Sequence, residues 1–170
     1  MRIIAISLLL LANIALEGTL FHGFRILGIK PDFTLMIVVA ISLLRGKSYG
    51  AFSGLASGLM LDIMYGKVIG ISAITYMIIG YVAGIYSEKV FKDNVFPAII
   101  FNILAVGLSQ LIFYMFNYLT SSLGYFGMDP IKFVLDKVLP LVLYNGVLCS
   151  FLYKLIQYID KKELLKRRIY

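Results

Sequence analysis

Apolar sequence runs through this chain from end to end, broken only by short connections. A soluble domain built this way would have to expose a surface it cannot cover, since 61% of the residues are apolar and only 15% charged, with mean hydropathy +0.91. The reading is an all-α integral membrane protein with no large soluble domain. Six apolar stretches stand out, at about 3–21, 33–44, 49–64, 68–86, 95–119 and 133–158, with a basic tail at 159–170. They predict one six-helix transmembrane bundle covering 1–170. The N-terminal run MRIIAISLLLLANIA has the look of a signal peptide, but no clean A-x-A site follows, so it is read as a retained first span.

The second stretch is short for its task. Twelve residues rise about 18 Å as helix, against a hydrocarbon core of about 30 Å. Either this helix borrows Pro31, Asp32 and Arg45 at its ends, or neighbours shelter it from lipid. A re-entrant hairpin over 31–64 is the alternative topology. Pro31 and Asp32 suit a helix start, with proline permitted in the first turn and an acid favoured at the positive end of the dipole. Eleven of the sixteen Lys and Arg residues fall on one side of a six-span arrangement, which puts both termini in the cytoplasm. The net charge of +7 is then a topology and lipid signal, not a sign of nucleic-acid binding.

The segment RGKSYGAFSGLASGLMLDIMYGK, residues 45–67, carries Gly46, Gly50, Gly54 and Gly58 at four-residue spacing, with Ser53 and Ser57 beside them. Lipid tails are as apolar as leucine, so small residues that let backbones touch are what drive helices together in a membrane. Gly80 and Gly84 form a second small-residue pair, and Gly66 and Gly70 punctuate the turn between. The expected arrangement is a tight pair of helices joined at 65–67, with the 33–44 helix alongside. Asp62 ends the stripe. It is read either as a contact with another subunit or a ligand, or, preferred, as a tether to Lys67 or to free backbone groups of the following turn.

Other polar residues lie inside the apolar stretches. Asn13 and Glu17, one turn apart, share a face of the first helix, and Asn102 and Gln110 share one on the fifth. Amides of this kind usually bond across helices and fix register, while a mid-span carboxylate such as Glu17 is a functional candidate by default. Pro140 is expected to kink the sixth helix. No catalytic constellation appears: His22 is the only histidine, Cys149 the only cysteine, and no phosphate loop, nucleophile elbow or zinc motif is present. The sequence reads as non-enzymatic, with no cofactor or metal.

The run PDFTLMIVVAISLLRGKSYGAFSGLASGLMLDIMYGKVIGISAITYMIIGYVAG, residues 31–84, resembles the core of the rod shape-determining MreD family. The resemblance rests on Pro31 and Asp32, then Arg45 and Gly46, then Gly50, Gly54, Gly58, Leu59 and Asp62, then Gly66 and Gly70, and finally Gly80, Tyr81 and Gly84. It implies a multi-pass protein of the bacterial cytoplasmic membrane, part of the cell-elongation machinery that builds side-wall peptidoglycan. Implied partners are MreC, MreB filaments, RodA and its class B penicillin-binding partner. The family is also similar in fold to the substrate-binding subunits of energy-coupling-factor vitamin transporters, so capture of a small molecule for transport is the alternative function. The scaffold is preferred chiefly on the strength of the resemblance, and also because the outer loops are short and hold few polar groups; its glycine groove, at Gly50, Gly54 and Gly58, or its outer faces would receive partner helices, with Asp62 as an anchor.

Overall fold

The computed structural model describes residues 30–66, 68–89, 94–120 and 130–166. The first predicted span, with Asn13, Glu17 and His22, lies outside them, as does Lys67. The described residues are helical throughout, without strands: α1 (Phe33–Arg45), α2 (Lys47–Tyr65), α3 (Ile71–Ile85), α4 (Phe96–Thr120), α5 (Pro130–Phe133) and α6 (Leu139–Lys166). A 3-10 turn, Tyr86–Glu88, follows α3, and a π-helical turn, Val134–Val138, joins α5 to α6.

The short helix is the centre. Every residue of α1 from Phe33 to Leu44 is buried, and α1 touches α2, α3, α4 and α6. Its sequence, FTLMIVVAISLL, has apolar residues on all sides, the pattern of a helix enclosed by protein. At about 20 Å it is too short to cross the hydrocarbon core alone, and its neighbours relieve it of facing lipid. Asp32 starts α1 by accepting the Leu35 N–H at 2.8 Å. Arg45 ends it, a cation at the negative end of the dipole.

A single residue turns α1 into α2. Gly46 serves as C-cap of one and N-cap of the other at φ 93°, ψ 178°, a region essentially closed to residues with a Cβ. Among the described helices the most extensive contact is that between α2 and α3. The 68–86 stretch becomes helical only at Ile71, because Gly70 adopts the left-handed conformation at φ 107° and closes the turn before it.

Among the described residues, three helical segments are long and apolar enough to cross a membrane: Ile71–Glu88, Phe96–Phe116 and Ile131–Ile159. The glycines and serines of α2 lower its hydropathy, and α2 is not one of them. The sixth stretch reads through from Ile131 to Ile159 and is accommodated ahead of Pro140 by the π turn, where the Leu139 N–H bonds the Val134 carbonyl. Helix α6 continues beyond 158 to Lys166.

Candidate functional site

Helices α2 and α3 meet backbone to backbone along the glycines. A Cβ placed on Gly54 would stand 2.5 Å from the Tyr76 carbonyl carbon and 2.9 Å from the Met77 nitrogen, and nearer still to the Tyr76 oxygen. One on Gly58 would lie 2.5 Å from the Ser72 oxygen and 2.6 Å from the Ala73 Cα. Gly50 and Gly80 face each other, and a Cβ on Gly50 would also fall 2.8 Å from the Ser42 Cβ of α1. Gly84 takes the same role at the far end, where a Cβ would be 2.5 Å from the Lys47 nitrogen. None of these spacings leaves room for a methyl group. Ser53 and Ser57 are buried in the same contact and return their hydroxyls to α2 itself, at Gly50 O (3.1 Å) and Ser53 O (2.7 Å). The groove expected to receive a helix is therefore filled by this chain's own α3, and the outward face of α2 carries exposed apolar side chains, Phe52 and Ile63 among them.

Asp62 closes this hairpin at the other end. Only 2% exposed, its carboxylate accepts from the N–H groups of Gly70 at 2.8 Å, Ser72 at 3.2 Å and Ala73 at 3.2 Å. These are the otherwise orphaned donors at the start of α3, and an anion there also meets the positive end of the helix dipole. Gly66 ends α2 by donating to Asp62 O at 3.0 Å. The carboxylate of Asp62 thus holds the turn through backbone amides.

A second polar junction ties α3 and α6 to the start of α1. Asp32 accepts from the Tyr76 hydroxyl at 2.5 Å and donates its own N–H to the Asn145 side-chain oxygen at 3.0 Å. Pro31 beside it is fully buried. Tyr76 and Asn145 carry this junction, and the sequence marked Tyr76 by nothing that set it apart from eleven other tyrosines.

The remaining candidates do not gather at one place. Asn102 is fully buried, and neither amide atom has a hydrogen-bond partner among the described residues. Gln110 is half-buried on α4, and Tyr81 points outward from α3, 46% exposed. Arg45 and Gly46 line a polar cavity at the α1–α2 turn together with Lys47, Ser48, Ser87 and Glu88. Cys149 is buried, its thiol 3.6 Å from the Ala98 carbonyl. Among the described residues no three His, Cys, Asp or Glu side chains are grouped to hold a metal.

Comparison with known proteins places these features. A search of curated proteins and a search of solved structures each found no match, so the transport alternative gains no support. The family model for the rod shape-determining protein MreD matches residues 1–161, a stretch that contains the glycine hairpin, both aspartates and every described helix except the last turn of α6. The chain accordingly belongs to the MreD family of rod shape-determining membrane proteins.

Proposed function

We propose that the chain is a single-domain, six-span scaffold of the bacterial cell-elongation complex. It lies in the cytoplasmic membrane with both termini and the 159–170 tail inside, and its fold is like that of the vitamin-transporter subunits. Its work is to hold partners that build side-wall peptidoglycan, and it carries out no chemistry of its own. The observation that carries this reading is the glycine-locked α2–α3 hairpin in a chain whose family determines rod shape. A hairpin packed at backbone distance, pinned at one end by Gly46 and at the other by Asp62, has little freedom to flex. It therefore presents its outward faces at fixed positions. Because α3 fills the groove, spanning helices of MreC, RodA or the class B penicillin-binding protein would dock on outer faces, where Phe52, Ile63, Leu104, Leu143 and Phe151 are exposed. MreB filaments would meet the cytoplasmic side.

Affinity purification of the tagged chain from membranes in mild detergent tests this directly. Recovery of MreC or RodA with the wild-type chain is the expected result. Recovery of an ATPase-bearing transporter module in their place would overturn the scaffold and restore the transport reading.

A further inference from the structure

The helices around α1 do not close a ring. α2 packs on α3, α3 on α4 and α4 on α6, yet among the described residues no comparable contact joins α6 back to α2. α1 itself is buried on every side from Phe33 to Leu44, and a helix enclosed all round needs cover in that opening too. Both flanks of the opening are apolar. On α6, Gly146 faces Ile99 and Ile103 of α4. At about 100° per residue, Leu148 and Leu152 stand on the far side of that helix, half-buried and packed against the core. On α2, Ala56 and Met60 are half-buried on the side turned away from Gly54 and α3, whereas Phe52 and Ile63 are exposed.

The chain enters the described fold at the mouth of this opening. The Lys30 ammonium lies 5.7 Å from the centre of the Tyr65 ring at the end of α2. Two residues on, Asp32 donates its N–H to Asn145 of α6 at 3.0 Å. Residues 30–32 therefore bridge the two helices that flank the gap. What precedes them in sequence has the right length and character. Residues 3–21 are an apolar stretch of about 28 Å if helical, close to the hydrocarbon thickness, and 22–29 is a connection of ordinary length for antiparallel neighbours. Asn145 adds a polar requirement. It is fully buried, its side-chain oxygen is taken by Asp32, and its Nδ2 has no partner among the described residues. Asn13 and Glu17 are one turn apart, and Glu17 stands one turn from the end of the stretch that leads to residue 30. A side-chain oxygen from that face supplies the acceptor a buried amide lacks. The apolar groove between α3 and α4, lined by Ile79, Val82 and Leu104 among others, lies across α1 from residues 30–32.

We propose that residues 3–21 lie as a helix in the opening between α2 and α6, antiparallel to α1, with Asn13 and Glu17 turned inward. The stretch closes the ring and leaves α1 no face for a partner's helix. The placement rests on the first span of the proposed topology and is independent of which partners the scaffold holds.

Disulfide trapping in membranes tests it. The chain carries an N-terminal tag, Cys149→Ser and a protease site within 22–29. Each residue from Leu10 to Glu17 is replaced singly by cysteine and combined in turn with Leu148→Cys, Met60→Cys or, as control, Val82→Cys in the α3–α4 groove. After oxidation and cleavage, a linked tag fragment stays with the rest of the chain. The expected result is one set of positions, a helical turn apart, that links to Leu148→Cys, a second such set that links to Met60→Cys, and none that links to Val82→Cys. Links to Val82→Cys in their place, links to one flank only, or links only between two chains, seen as a doubled mass, would overturn the placement. A retained tag with no link at all would do the same. Loss of the tag from the mature chain would refute the first span itself, and the six-span reading with it.

Discussion

Replacing Gly54 with alanine sets two physical effects against each other. Alanine is the better helix former by about 1 kcal/mol, so propensity alone makes Gly54→Ala stabilising. The structure reverses the sign. The new methyl would lie 2.5 Å from the Tyr76 carbonyl carbon, and reaching an ordinary contact of about 3.5 Å requires α2 and α3 to part by about 1 Å. Backbone cannot rotate aside as a flexible side chain can, so the strain falls on the whole hairpin, and overpacking of this kind costs about 1–3 kcal/mol. Gly107 on α4 supplies the control, because a Cβ there would meet nothing within 4 Å. Gly107→Ala keeps the propensity gain without the clash. Both variants share the propensity gain, so they differ by the clash alone, about 1–3 kcal/mol, a gap of roughly 2–12 °C in unfolding midpoint for a chain of this size. Thermal unfolding of both in the same detergent reads it. If Gly54→Ala unfolds at or above the wild-type temperature, level with Gly107→Ala, the close-contact argument is wrong.

Three further outcomes follow from the same geometry. Asp62→Ala leaves the Gly70, Ser72 and Ala73 amides without their acceptor, and is expected to cost about 2–3 kcal/mol; faster hydrogen exchange confined to those amides would localise the effect. Gly46→Ala forces a Cβ into φ 93°, ψ 178° and is expected to lower stability by about 1–3 kcal/mol in the same unfolding assay. Asn102→Leu removes a buried amide that has no partner among the described residues, so the midpoint is expected to hold or rise; a loss above about 2 kcal/mol would show that the amide is engaged.

What the sequence reveals here depends on how each feature is encoded. Gly50, Gly54 and Gly58 at i, i+4 spacing mark one stripe of α2, and small residues at that spacing announce a close contact before any fold is known, whereas Gly46, first of the series, serves the turn instead. Which helix occupies the stripe is not encoded there, and depends on the turn that Gly70 and Asp62 build. The length of 33–44 shows that the helix needs help to span, but an apolar run without a polar face cannot say which neighbours enclose it. Asp32 is legible as a helix start, since an acid beside a proline has that local meaning. Its bonds to Tyr76 and Asn145 are not, because they join residues 44 and 113 positions apart.

Cell shape under graded substitution at Gly54 tests the central claim most directly, that a hairpin locked at backbone distance is what this family member contributes to rod form. In rod-shaped bacteria carrying the chain as their sole MreD, replacing Gly54 with alanine, valine and leucine is predicted to shorten and round the cells stepwise with side-chain volume, while the same series at Gly107 leaves rods. Normal rods with Gly54→Leu, at wild-type amounts of protein in the membrane, would contradict it.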